Sequence, residues 1–267
     1  MLDLSVIIVS WNTRDLLRDC LRSLQAHKPN PAEVIVIDNA SSDGSPDMVA
    51  REFPDVRLIR NTKNVGFARA NNQGIKVSHG QYIALLNSDI RTTAGALKTL
   101  VAFMAETPAA GACGPCLLQP DGHPQPYAFG KDPTLLYLLH RGLQQVLFRR
   151  YLHDWATDAV QEVDWISGAC LMVRREVIDQ VGLLDEHFFM YFEDNDWCLR
   201  IRKAGWKVYY NPHAEIIHLG GQSLVQNPAA QEAYYQSLHY FYAKHYGQLN
   251  VLLLDMMLPI YRMFMRR

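Results

Sequence analysis

Residues 4–9, LSVIIV, form a continuous apolar and β-branched run, the pattern of a strand covered on both faces of a parallel sheet. The run ends in the polar turn Ser10-Trp11-Asn12-Thr13. Leu16, Leu17, Cys20, Leu21 and Leu24 then fall at helical spacing, with Asn12 or Thr13 as the cap. EVIVID repeats the strand pattern and delivers Asp38 into the polar turn NASSDGS. A short strand over 56–59, a glycine turn and helix in NVGFARANNQGI, and a buried strand QYIALL continue the alternation. A helix is expected over 94–106, with Thr92 and Thr93 better placed to cap it than Asp89. Strand, helix, strand opens a doubly wound α/β fold, whose ligands bind beyond the carboxyl ends of the strands. Ser10, Asn12 and Asp38 lie at that edge, and Asn87-Ser88-Asp89 follows QYIALL at once.

The stretch FFMYFEDNDWCLRIRKAGW sets Glu193, Asp194 and Asp196 directly behind a run of aromatic residues. Trp197, Ile201 and Ala204 at helical spacing predict a helix from about residue 194, with Gly205 in the left-handed position after its last turn. Acids in a first turn cap a helix and complement its dipole, and one would be enough for that. Three carboxylates crowded against apolar surface should raise at least one pKa toward the range useful for a general base.

The chain has 267 residues, enough for one large α/β domain or a domain with an appendage. With 49% hydrophobic and 20% charged residues it should fold throughout. A net charge of −1 gives no global attraction to nucleic acid, so any anion site must be local. Five scattered cysteines and an N-terminus without a basic leader pattern suit a reducing cytoplasm, and Cys113-x-x-Cys116 reads as chance spacing in a buried strand. No run approaches the ~20 apolar residues of a membrane span.

The first turn lacks G-x-G-x-x-G, which argues against an NAD enzyme. A nucleotide could instead be held by its base, with Asp38 accepting from a ring N–H; the alternative is that Asp38 and Asn39 build an Asx turn. Arg69 is a candidate to face the nucleotide, or a solvated helix arginine. Asp89, at the end of a central strand, is the best candidate ligand for Mg²⁺ or Mn²⁺ bridging to a diphosphate.

Taken in order, SVIIVSWN, VIVIDNASSDGS, NVGFARANNQGI, LLNSD, VDWISGACLMVRRE, FFMYFEDNDWCLRIRKAGW and IIHLGGQS resemble the family 2 glycosyltransferases of the GT-A fold, in their rhamnosyltransferase-like branch. The resemblance implies a Rossmann-like, mostly parallel sheet flanked by helices. It also implies inverting transfer of a sugar, with rhamnose a candidate, from a nucleotide diphosphate sugar (dTDP- or UDP-linked) to a glycan or polyprenyl-linked acceptor in cell-surface polysaccharide synthesis. By position, Asp38 resembles the base-binding aspartate, with Ser10, Asn12 and Arg69 around the nucleotide. Asn87-Ser88-Asp89 matches the D-x-D-like motif with asparagine in its first place, which leaves Asp89 as the only charged ligand of that motif. His218 resembles the histidine that completes the metal site in several relatives; a histidine after an apolar strand is otherwise a packed core residue. Asp194 matches the general base, with Glu193 or Asp196 holding the acceptor or orienting that base. Trp165, Ser167 and Gly168 are expected on the sugar and acceptor side, core packing being the alternative for Trp165.

The expected organisation is a domain over 1–225, with a nucleotide-binding half (1–118) and an acceptor and catalytic half (119–225) carrying an insertion at 126–160. A helical region at 226–267 follows. The insertion is either a lid or a basic amphipathic face for a membrane. The tail, rich in apolar residues beside Arg262, Arg266 and Arg267, suits an interfacial helix on the inner face of the cytoplasmic membrane, or packing on the domain or on another subunit of a homo-oligomer. The competing functions are a sugar-nucleotide-binding module without catalysis, and a nucleotidyltransferase, which the absence of a glycine-rich, lysine-bearing triphosphate loop disfavours.

Overall fold

The computed structural model describes residues 3–29, 32–148, 152–220 and 228–265, without the side chains at 145–146, 228–229 and 259–265. Arg149, Arg150, residues 221–223 of IIHLGGQS, the side chain of Arg262, and Arg266 and Arg267 therefore lie outside the described part.

The first half alternates as its pattern dictates: β1 (Leu4–Ser10), α1 (Arg14–His27), β2 (Ala32–Asp38), α2 (Ser45–Glu52), β3 (Arg57–Arg60), α3 (Phe67–Val77) and β4 (Tyr82–Asn87). There follow β5 (Ile90–Thr92), α4 (Ala96–Glu106), β6 (Ala110–Leu118), β7 (Phe129–Gly130), α5 (Leu135–Leu143), β8 (Gln161–Glu162), β9 (Trp165–Ile166) and β10 (Cys170–Arg174). The last elements are α6 (Arg175–Val181), α7 (Glu193–Lys203), β11 (Lys207–His218), α8 (Pro228–His245) and α9 (Gln248–Met265). The main sheet runs β3-β2-β1-β4-β10-β6-β11-β5, with β8 on β11. The strands β1 to β4 are parallel neighbours, and β10 enters antiparallel between β4 and β6. Ser10 lies level with Asp38, and Val9 with Asn87, so three turns open side by side at one sheet edge.

β1 is buried along nearly all its length, as its uninterrupted apolar run requires. α1 buries Leu17, Cys20, Leu21 and Leu24, each worth about 1.5–3 kcal/mol if fully transferred for the larger side chains. Leu16, expected in that stripe, is exposed because it sits one position off the i, i+3, i+4, i+7 face. The capping expectations need correction. Asp43 Oδ2, from the next turn, accepts the Arg14 N–H at the start of α1 (2.7 Å), while Thr13 makes no side-chain cap bond. Thr92 belongs to β5, Thr93 donates to the Glu215 carbonyl (2.6 Å), and α4 begins after left-handed Gly95. Cys113 and Cys116 are free and buried in β6.

A second core lies behind the turn at 188–192 that precedes α7: Phe188 and Phe192 pack with Leu238, Phe241 and Tyr242 of α8 and with Val251 and Leu254 of α9. Leu135 and Leu138 of α5 close it from the side. The tail from residue 250 is thus partly a packing element, and its deletion would open this core. Among the described residues no helix is long and apolar enough to cross a membrane.

Candidate active site

The turns after β1 and β2 are knitted together by short polar side chains. Asn12, in left-handed conformation (φ 55), donates its N–H to Ser41 Oγ (2.9 Å) and accepts from the Ser42 N–H (2.8 Å) through Oδ1. The hydroxyls of Ser10, Thr13 and Ser88 form a chain with links of 3.0 and 2.9 Å, joining the β1 turn to the β4 turn. Asp38, level with Ser10 at the end of β2, is buried. Its Oδ2 accepts from the Ser41 N–H (3.0 Å), the expected turn role, but Oδ1 has no partner. A buried carboxylate oxygen left unpaired is costly, so this atom is set to receive an N–H from a ligand. Arg69, on α3, is exposed, and its guanidinium pairs with Glu186 at 3.5 Å, ahead of the turn at 188–192.

Asp89 and His218 meet across β4 and the end of β11, with His218 Nε2 3.3 Å from Asp89 Oδ1 and 3.4 Å from Asn87 Nδ2. His218 Nδ1 lies 2.8 Å from Gln125 Oε1, which can only accept, so Nδ1 donates there and Nε2 is the ring nitrogen turned toward Asp89. Nε2 and the Asp89 carboxylate could together hold a cation, with Gln125 orienting the ring. A Cβ on Gly220 would lie 2.5 Å from His218 Nε2 and 2.9 Å from Asp89 Oδ2, so only glycine leaves this space open. Among the described residues no three His, Cys, Asp or Glu side chains converge on a metal position. Gln125 was invisible to sequence reasoning because nothing local distinguishes it from any polar loop residue.

The acids divide into different roles. Asp194, half-buried at the start of α7, accepts from the Gly168 N–H (2.8 Å) and the Asn195 N–H (2.8 Å). Burial pushes its pKa up, while those N–H groups hold it down; the balance is upward. With its amide turned to satisfy both atoms, Asn195 donates to Asp194 Oδ1 (3.1 Å) and accepts from Trp165 Nε1 (3.3 Å). The Trp165 indole also donates to the Lys131 carbonyl (2.9 Å), and its ring lies against Gly130. Ser167 is half-buried, its N–H donating to the Ala128 carbonyl (2.9 Å). Asn87 N–H donates to Ala169 O (3.0 Å), so Gly168 on Asp194 and the Asn87-Ser88-Asp89 turn are neighbours.

Asp196 does not join them. It is 0% exposed, and its carboxylate is taken up by Arg200 (2.8 Å), Lys244 (2.6 Å) and His245 (2.7 Å). Desolvation opposes its ionisation, but these partners outweigh it and hold its pKa below the usual range. The expectation that Asp196 touches an acceptor is therefore corrected: it ties α7 to α8. Further contacts from α8 brace the preceding turn, with Ser237 donating to Met190 O (2.8 Å) and Tyr240 to Asp185 (3.0 Å). Tyr191 and Phe192 within that turn are both left-handed (φ 70 and 65), a conformation that costs aromatic residues about 1–3 kcal/mol each.

Glu193 is 5% exposed, and its Oε2 has no partner. Desolvation and the neighbouring Asp194 charge hold its pKa well above the ordinary carboxylate value. A raised folded-state pKa means stability that is complete below about 4.3 and is lost as pH rises toward the folded value. Glu193→Gln is therefore expected to raise Tm at pH 7, by about 2–4 °C for each kcal/mol recovered, with the gain shrinking toward pH 4. Equal gains at both pH values, measured by calorimetry, would show that ionisation is not the cause.

The fold and site define a glycosyltransferase that works on nucleotide sugars. Residues 5–182 match the profile of glycosyl transferase family 2. The chain belongs to that family. It is 33% identical over 266 residues to the N-acetylglucosaminyl-diphospho-decaprenol L-rhamnosyltransferase of Mycobacterium tuberculosis, covering 91% of this chain and 85% of that protein. It is 28% identical over 224 residues to the dTDP-rhamnosyl transferase RfbF of Shigella flexneri, covering 82% and 70%. Among solved structures, GalNAc-T7 with UDP, GalNAc and Mn²⁺ superimposes with TM-score 0.65 at 18% identity, over 91% of this chain and 50% of that one. The mannosyltransferase PcManGT of Pyrobaculum calidifontis, with GDP-Man and Mn²⁺, gives 0.59 at 17% identity, over 98% and 82%. These two show the same fold.

Proposed function

We propose that the chain is an inverting rhamnosyltransferase that moves the sugar from a dTDP-linked donor to a polyprenyl-linked glycan acceptor at the inner face of the cytoplasmic membrane. The observation that carries the reading is the adjacency just described, in which Ala169 and Gly168 join the Asp89–His218 pair to Asp194. That adjacency supports a leaving-group site beside a base. The rhamnosyl donor and the lipid-linked acceptor are suggested by the names of the two relatives. In this reading residues 1–118 hold the nucleotide and 119–225 the acceptor.

In the reaction Asp38 Oδ1 accepts from the ring N–H of the base, and the Asn12-braced turn holds it in place. Asp194 takes the proton from the acceptor hydroxyl as that oxygen attacks the anomeric carbon opposite the diphosphate. The bond from that carbon to the diphosphate oxygen breaks, and the nucleoside diphosphate leaves with the electron pair. Attack from the opposite face inverts the centre. The burial that raises the Asp194 pKa makes it a better proton acceptor, and the Gly168 N–H fixes its position. Asp89 and His218 fit Mg²⁺ or Mn²⁺ as a pair of protein ligands whose set is completed by diphosphate oxygens; the ion, when bound, neutralises charge on the leaving group. Metal and donor should therefore bind together.

Thermal denaturation with dTDP-, UDP- and GDP-sugars, each with and without Mn²⁺, tests this. A dTDP-sugar with Mn²⁺ should stabilise most, by about 2.7 kcal/mol at 100 times its dissociation constant. Equal stabilisation by every nucleotide would remove the support for a dTDP donor, and no stabilisation by any would overturn the reading.

A further inference from the structure

We infer that the ring of Tyr127 is a platform on which the sugar of the acceptor stacks. The inference rests on the transferase reading above and names a contact for its acceptor. β7 and β9 pair antiparallel, Gly130 with Trp165 and Phe129 with Ile166. The next pair is joined by the bond from the Ser167 N–H to the Ala128 carbonyl (2.9 Å). One residue further along each segment come Tyr127 and Gly168, and the Gly168 N–H is a donor to Asp194 (2.8 Å). In the other direction the chain leads to the Asp89–His218 pair. Only Pro126 separates Tyr127 from Gln125, whose side chain meets His218 Nδ1 (2.8 Å) and whose N–H donates to the Leu117 carbonyl (2.7 Å). The backbone of Tyr127 is thus held between the base and the residues that fit a cation.

Tyr127 takes a left-handed backbone (φ 64), which is rare for a bulky residue and persists only where the surroundings hold it. Its ring is 44% exposed, so burial alone does not account for an aromatic side chain at this position. Trp155 supports the ring, with centroids 5.2 Å apart and planes tilted by 52°. That indole is buried, and its N–H donates to the Phe129 carbonyl (3.0 Å). A supported aromatic surface that remains partly open suits a pyranose, which has an apolar C–H face and hydroxyls at its rim. The acceptor sugar is favoured over the donor nucleotide because Tyr127 adjoins the segment that holds Asp194, which takes its proton from the acceptor. Asp38 and the turns around the nucleotide belong to β1 and β2 instead.

The test compares Tyr127→Gly, Tyr127→Asn and Tyr127→Phe with the parent. The donor is dTDP-rhamnose, and the acceptor probe is N-acetylglucosamine joined through a diphosphate to a short prenyl chain. Glycine and asparagine accept a left-handed φ, so both variants should fold with a Tm no lower than the parent's while lacking the ring. Each is expected to raise the acceptor KM at least about fivefold, with donor KM and kcat at saturating acceptor unchanged. Tyr127→Phe keeps the ring and should keep the parent's acceptor KM. Any of three results overturns the platform and leaves the transferase reading intact: an unchanged acceptor KM without the ring, an equal rise in donor KM, or an equal loss in Tyr127→Phe. A lowered Tm in both the glycine and asparagine variants would make Tyr127 a packing residue and overturn it as well. Thermal stabilisation by the acceptor probe gives a readout that needs no turnover. If the probe stabilises the parent but not the variants without the ring, and no transfer occurs, the platform stands and the transferase reading falls. Neither stabilisation nor transfer by the parent overturns both.

Discussion

Asp194→Asn is expected to lower transfer by about 10²- to 10⁴-fold while leaving donor affinity unchanged. The amide keeps the shape of the carboxylate, and its one oxygen can still accept the Gly168 N–H, at the cost of the bond from the Asn195 N–H. It cannot take the acceptor's proton. In the proposed mechanism donor affinity resides at Asp38, the last residue of β2, and around Asp89, after β4, neither of which the substitution alters. The pH profile gives a second signature. Burial raises the Asp194 pKa, so kcat/KM of the parent should rise with pH through a limb above about 3.9, the ordinary aspartate value. That limb should vanish in the variant. Near-normal turnover on the true acceptor would remove Asp194 from the role, and Glu193 would then be next to test.

Asp89→Ala should weaken donor binding mainly when Mg²⁺ or Mn²⁺ is present. Among the described residues the pair with His218 offers a cation two side chains, so losing the charged one should cost more than losing an outer partner does. Gln125→Leu, which frees His218 Nδ1, provides the comparison, at about 10–100-fold in metal affinity. His218→Ala should fall between the two. Donor titrations by calorimetry, with metal and with chelator, distinguish the cases. An equal loss in both conditions would mean that Asp89 only holds the β4 turn, whose Asp89 carbonyl accepts from the Leu219 N–H.

The parts of this molecule that could be read in advance are those governed by neighbours in sequence. β1, β2 and β4 announce themselves as unbroken apolar runs because both their faces are covered. Asp38 and Asp89 were legible because each ends or follows such a run. Strands of two or three residues, such as β5, β7 and β9, carry no period to detect; their pairing is set by what lies across the sheet. Asp196 was misplaced for a similar reason. Its spacing from Asp194 suggested shared chemistry, but its partners Lys244 and His245 come from a helix about fifty residues later. Arg69 was read from its place on the helix after a glycine turn, and its partner Glu186 lies far from it in sequence. Long-range ion pairs leave no local trace.

The bracing of the Tyr191–Phe192 turn by α8 imposes an order on how this protein is made. As the chain leaves the ribosome, Asp38 and its turn emerge early, Asp89 next, and His218 only after α7 is complete. α8 emerges last of these. Until it docks, nothing from Ser237, Tyr240, Phe241 or Lys244 offsets the two left-handed aromatic residues ahead of Asp194. On the proposed function, the donor-binding residues of the first half are therefore made before the contacts that brace the turn ahead of Asp194. A protease cut between β11 and α8 that also released α8 is expected to lower transfer more than donor binding, because those contacts would be lost.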